Sequence, residues 1–193
     1  MTARSNRSIF VGLVHYPVVN RRGEPVISAI TNLDLHDISR TCRTYDISAF
    51  FVINPAPSQK ELLNDILQHW TDGVGARTNR TRREAFSLMR HGRFIKDVKG
   101  DIERMTGSAP EVWTTNAKKG PGRLGWGDAA MRLQEPWCPP ILLLFGTGGG
   151  LAREVFSNSD FILEPIEGKR DYNHLSVRSA VAITLDRLFV RRT

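Results

Sequence analysis

The stretch ILLLFGTGGGL, Ile141 to Leu151, decides how this chain folds. Five apolar residues, Ile141 to Phe145, run without alternation, as a strand buried on both faces does. Gly146, Gly148, Gly149 and Gly150 then break the run. Glycines so concentrated let the backbone take left-handed angles and approach a ligand closely. A strand-like segment, Ser159 to Pro165, follows, and then DYNHLSVRSAVAITLDRL, Asp171 to Leu188. The chain therefore ends strand, glycine loop, short helix, strand, polar loop, helix.

Working back toward the start, Ser8 to His15 (SIFVGLVH) and Ile47 to Asn54 (ISAFFVIN) read as two more buried strands, stopped by Tyr16-Pro17 and by Pro55 to Pro57. Between them Asn32 to Arg43 has helical spacing, with Leu35, Ile38 and Cys42 on one face and Asp34 as its expected N-cap. Ser58 is expected to cap a helix carrying Leu62, Leu63, Ile66, Leu67 and Trp70. Thr71 to Asn79 reads as a loop, Ser87 to Phe94 as a strand and Ile95 to Met105 as a helix ended by Gly107. Glu111 to Thr115 reads as a short strand and Gly125 to Leu133 as a short helix. Strands alternating with helices imply an α/β fold: a parallel sheet with helices on both faces. Ligands of such sheets bind outside the carboxyl ends of the strands. Thr115, Gly146 and Ile166 all follow such ends, so one pocket is expected to draw on all three.

The chain has 193 residues, 40% of them hydrophobic, which fits one globular domain spanning 1–193. No stretch approaches the roughly 20 apolar residues of a membrane span, and the polar start lacks the apolar segment of a signal peptide. Cys42 and Cys138 are too few for a disulfide framework or a zinc site, so a cytoplasmic, reduced protein without a metal is expected. Net charge is +7, from 27 Lys and Arg against 20 Asp and Glu, an excess that favours polyanionic partners. Its distribution says more. Between Arg77 and Arg93 lie six arginines, Arg77, Arg80, Arg82, Arg83, Arg90 and Arg93, against a single acid, Glu84. The wider segment 71–94 reads as a basic loop or insertion. Lys118, Lys119 and Arg123 form a second basic stretch, and Arg191 and Arg192 a third. Arginine suits phosphate oxygens because its planar fork donates two hydrogen bonds at once.

Two kinds of nucleotide site could use the glycine loop. A dinucleotide fold needs GxGxxG, but its third glycine would be Leu151. Such a fingerprint opens a βαβαβ half, whereas only one strand and one helix follow here. The Rossmann reading leaves the cofactor half without its sheet.

The order of motifs instead resembles the SPOUT superfamily of S-adenosylmethionine-dependent RNA methyltransferases. LDLHDISRTCRTYDI, Leu33 to Ile47, is similar to the family's segment carrying a motif arginine. LLLFGTGGGL is its glycine motif. LEPI, Leu163 to Ile166, with the run Asn173 to Ile183, is its final motif. The nearest likeness is to a small bacterial subgroup related to an extension on some tRNA guanine-N1 methyltransferases. The resemblance implies a C-terminal deep trefoil knot, S-adenosylmethionine as cofactor, an RNA substrate (tRNA or rRNA) and a homodimer. By position, it places the cofactor on Thr115, Leu144, Gly146, Thr147, Gly148, Glu164, Ile166, Asn173, Leu175 and Ser176.

Arg40 matches the motif arginine that orients the acceptor, with Arg43 one turn on. Where ribose-methylating members have asparagine, this chain has Asp34 and Ser176, and Arg178 stands where a small residue is common. An aspartate suits deprotonation of a base nitrogen, so base methylation is favoured over ribose 2′-O, with Arg40 and Asp34 as the expected catalytic pair. His36 and Asp37 are the other proton acceptors at hand. Arg43, Arg77, Arg80, Arg82 and Arg83 are expected to hold RNA. The same departures allow a second reading, a knotted RNA-binding or dimerisation module without turnover. Val177, Val181, Leu185 and Leu188 of the last helix are expected to pack in the core or at a dimer contact.

Overall fold

A computed structural model describes residues 8–170 and 172–189. Asp171, Arg191 and Arg192, singled out above, lie outside the described residues. Six strands form one sheet: β1 (Ile9–Val14), β4 (Ala49–Ile53), β5 (Met89–Gly92), β6 (Glu111–Thr114), β7 (Ile141–Gly146) and β8 (Phe161–Ile162). A separate two-stranded hairpin, β2 (Val18–Val19) with β3 (Pro25–Val26), follows β1. The sheet order is β5-β4-β1-β7-β6-β8, and every neighbouring pair is parallel. All carboxyl ends therefore meet at one edge.

The central strands are buried along their whole length, which is why they read as unbroken apolar runs. On one face Val11, Leu13, Val52 and Leu143 pack against α1 (Asn32–Thr44), α2 (Pro57–Thr71) and α8 (Val177–Phe189). On the other, Phe10, Phe51 and Leu142 pack against Val98 and Ile102 of α5 (Ile95–Thr106) and Val155 of α7 (Arg153–Ser157). Each fully buried Leu, Ile or Phe contributes roughly 1.5–3 kcal/mol. Helix α8 lies against α1, β7 and α6 (Trp126–Arg132). Val181, Leu185 and Leu188 are core residues, and Val177 packs at their margin.

Several local expectations need correction. Asp34 is not the N-cap of α1. Thr31 takes the extended cap conformation and its hydroxyl accepts the Asp34 N–H, so Asp34 falls in the first turn, with one carboxylate oxygen accepting that hydroxyl and the other reaching elsewhere. Ser58 is likewise inside α2, which begins at Pro57, where a fixed φ and a missing N–H cost nothing. Of its apolar face only Leu63 is fully buried, and Leu62 is exposed. The 71–94 segment is not a loop: it holds α3 (Val74–Thr78) and α4 (Arg80–Phe86) before β5. Asn79 caps α4 through the Arg82 N–H, and Ala85 and Phe86 bury the helix against its neighbours. These helices are too short to show periodicity. The expected strand at Ser159–Pro165 narrows to two residues at the sheet edge.

Candidate active site

The glycine segment runs from the end of β7 across the carboxyl edge. Gly148 and Gly150 hold φ of 60° and 103°, the left-handed region that favours glycine. Gly146 and Gly149 are required by space instead. A Cβ at Gly149 would lie 2.5 Å from the Val19 carbonyl oxygen, and one at Gly146 would lie 2.6 Å from the Leu151 nitrogen. The segment is zipped to the chain after β1. The Gly149 N–H donates to Val19 O and the Val19 N–H to Gly150 O, each at 2.9 Å.

Beside it opens a cleft of about 640 Å³. Thr115, Gly146 and Ile166 all line it, so the three strand ends meet in one pocket. Of the ten residues expected to hold the cofactor, all but Leu144 line this cleft. Leu144 is buried in the sheet, and its carbonyl accepts both the N–H and the hydroxyl of Thr115. Glu164 is held by the Trp126 N–H at 3.0 Å, and Asn173 donates to the Ala117 carbonyl at 2.9 Å. The loops after β6 and β8 are thereby tied together around the opening. The Trp126 indole N–H and the Thr184 hydroxyl, both on cleft residues, are sheltered and have no hydrogen-bond partner among the described residues. Buried polar groups are nearly always paired, so a ligand atom there would repay a standing cost.

A polar chain backs one wall, which Ser28 and Thr147 line. The Thr147 hydroxyl donates to Val14 O at 2.9 Å. It therefore accepts from Ser28 Oγ at 2.5 Å, which leaves Ser28 to accept from Nδ1–H of His15 at 3.0 Å. Burial holds His15 down at a pKa of about 4, despite the nearby Asp34 charge, so the ring is neutral and its tautomer is set by this chain. His15 and Ser28 carry no family motif, and only the buried position of His15 at a strand end could have drawn attention to them.

Asp34 lies in the same cleft with only 8% of its surface exposed. One carboxylate oxygen meets Arg178 Nη1 at 3.1 Å and the other accepts the Thr31 hydroxyl at 2.6 Å. Arg178 also reaches Asp37 through Nε at 3.3 Å. The sequence marked Asp34 and Arg178 as two separate departures from a pattern; in space they are one ion pair between α1 and α8. A carboxylate has about four acceptor positions, so Asp34 keeps capacity for a ligand proton.

Arg40 is not brought together with Asp34. It is exposed and does not line the cleft of its own chain, and neither does Arg43. Arg40 instead lies near His36, whose pKa is lowered by burial, then by Arg82 and Arg40, against the opposing charge of Asp37. The His36 ring packs against Trp70 and Phe86, outside the cleft, which is the place of a packing residue. Arg77, Arg80 and Arg83 are exposed, whereas Arg82 lies half-buried over the Trp70 ring at 4.8 Å. Among the described residues, no helix is long and apolar enough to cross a membrane.

The sequence matches the SAM-dependent RNA methyltransferase family over residues 8–190. Two relatives described as tRNA (guanine-N(1)-)-methyltransferases, from Oleidesulfovibrio alaskensis and Nitratidesulfovibrio vulgaris, are each 43% identical over 185 residues. Those alignments cover 96% of this chain but only 43% of each relative. An uncharacterized protein of Aquifex aeolicus is 36% identical over 189 residues, covering 96% of this chain and 90% of its own length. Among solved structures, an AdoMet-bound rRNA methyltransferase from Sinorhizobium meliloti superposes with a TM-score of 0.53 at 18% identity, over 94% of this chain and 55% of that one. TrmJ from Z. mobilis ZM4 superposes with a TM-score of 0.55 at 13% identity, over 94% and 67%. At such low identity, these structures speak for the fold alone.

Proposed function

This chain belongs to the SAM-dependent RNA methyltransferase family, and we propose that it binds S-adenosylmethionine in the carboxyl-edge cleft and methylates a nucleotide of tRNA or rRNA at a base nitrogen. The observation that carries this reading is the Asp34 carboxylate, nearly buried yet facing the same cleft as the glycine segment. The cleft has the size of a nucleoside site, and its wall is backbone that no side chain could replace at Gly149. Thr115, Gly146, Thr147, Gly148, Glu164, Ile166, Asn173, Leu175 and Ser176 would hold the cofactor, whose sulfonium supplies an activated methyl group when bound. Leu144 would act only by fixing Thr115.

Asp34 would take the proton that the acceptor base nitrogen sheds when it receives that methyl group. Arg178 and Thr31 hold the carboxylate in place for that step. Arg40, which is exposed and does not line its own cleft, serves the cleft of a second copy in this reading, so the working unit is a homodimer. The trefoil threading of α8 and a cytoplasmic location belong to the same reading. Arg43, Arg77, Arg80 and Arg83 contact RNA phosphate from α1, α3 and α4, and Arg82 supports them from its seat on Trp70.

Two measurements test this. Calorimetric titration with S-adenosylmethionine should show saturable binding; no heat at millimolar ligand would defeat the reading. Transfer of a labelled methyl group to total RNA should then fall roughly a thousandfold in both Asp34→Asn and Arg40→Ala, with cofactor affinity nearly unchanged. Cofactor binding without transfer by the unaltered chain would instead favour the non-catalytic module.

A further inference from the structure

The parallel sheet sends every strand end to the edge that carries the cleft, and two basic features there have no role so far. The first is the tip of the β2–β3 hairpin, Asn20-Arg21-Arg22-Gly23. Asn20 Oδ1 accepts the Arg22 and Glu24 N–H groups at 2.8 and 3.0 Å. Its Nδ2 donates to the Glu24 carboxylate at 2.7 Å, and Gly23 closes the turn at φ 80°. A turn braced so thoroughly presents Arg21 and Arg22 outward on a fixed frame, and both are exposed. The hairpin is also bonded to the glycine segment, through Val19 to Gly149 and Gly150 and through Pro17 O to the Ala152 N–H.

The second feature lies past the end of β5. The Phe94 ring carries the Arg93 guanidinium 5.2 Å from its centre and the Lys96 ammonium 5.8 Å from it. Tyr16, four residues before the hairpin tip, meets the same ring edge-on at 6.3 Å. Among the described residues none of Arg21, Arg22, Arg93 or Lys96 has a carboxylate within ion-pair distance. The one acid at the hairpin, Glu24, is engaged by Asn20, and Asp97 beside Phe94 is taken up by the Phe94 N–H. The α4 arginines differ: Arg80 is paired with Glu84 and Arg82 lies on Trp70.

We infer that this edge, from the Arg21–Arg22 turn to the Arg93–Phe94–Lys96 ledge, is a surface on which a single RNA strand lies beside the cleft. Four unpaired cations match backbone phosphates, and the aromatic pair offers a place for base stacking. The inference rests on the RNA reading above but is separable from it.

Filter retention of unfractionated tRNA and of rRNA across a salt series tests it, using the unaltered chain, R21A/R22A, R93A/K96A and R21K/R22K. Each alanine pair should weaken retention about tenfold near physiological salt and flatten the log–log salt slope by about 1.4–1.8, while R21K/R22K keeps both. Cofactor affinity, measured by calorimetry on the same proteins, should stay within about twofold and serves as the check on folding. Retention and slope equal to the unaltered chain in both alanine pairs would overturn the surface while leaving the RNA reading intact. No retention of tRNA or rRNA by the unaltered chain would remove both.

Discussion

Helix α1 meets two unlike neighbours. Toward α8, its Asp34 and Asp37 share the Arg178 guanidinium at the lip of the cleft. Toward α4, its His36 is packed among Trp70, Phe86 and, through Trp70, Arg82. One flank keeps charge available next to a ligand space; the other uses rings to seal a junction. The difference shows that residue type alone misplaces chemistry. His36 has the side chain most suited to proton transfer near neutral pH, yet its place is structural. Asp34, whose position invites reading as a helix cap, is the group that faces the cleft.

The comparison can be broken most severely on the cleft side. Gly149→Val drives a side chain into the Val19 carbonyl, so S-adenosylmethionine affinity should fall at least a hundredfold by calorimetry. Unchanged affinity would mean that the glycine wall is not the ligand's wall. On the sealing side, Trp70→Ala should cost about 3 kcal/mol in urea denaturation and leave cofactor affinity alone. Loss of cofactor binding there at full stability would erase the distinction between the flanks.

A pH effect sharpens the contrast further. His15 has a folded pKa of about 4, below its unfolded value of about 6.5, so the unfolded chain binds the proton more readily. The stability this adds is complete above pH 6.5 and is lost as pH falls toward 4, by about 2–3 kcal/mol. His15→Gln should remove that part of the slope in denaturation curves. The smallest effect is expected at the ion pair. Arg178→Ala should destabilise by about 1–2 kcal/mol by leaving Asp34 nearly buried without its cation, and adding Asp34→Asn should restore part of the loss. Additive losses would mean that the pair is incidental.

Much of the architecture was legible in one dimension. Buried parallel strands demand unbroken apolar runs, and β1, β4 and β7 announce themselves in SIFVGLVH, ISAFFVIN and ILLLF. Gly107 ends α5 in the left-handed cap conformation, as its place after a periodic run implies. The short helices α3 and α4 were not legible, because five to seven residues give no period and their burial comes from neighbours distant in the chain. Cap positions at Thr31 and Ala56 were misread for a related reason. A hydroxyl or carboxylate near a helix start can cap it or reach elsewhere, and tertiary partners choose.

What the sequence determined by itself is the class of fold and the glycine loop at a strand end, because both follow from local rules of burial and backbone freedom. What only the tertiary structure decided is which side chains share the cleft. Asp34 and Arg178 are separated by 144 positions and Ser28 and Thr147 by 119. Pairings so remote leave no local pattern, since they are fixed by the parallel sheet bringing all its carboxyl ends to one edge.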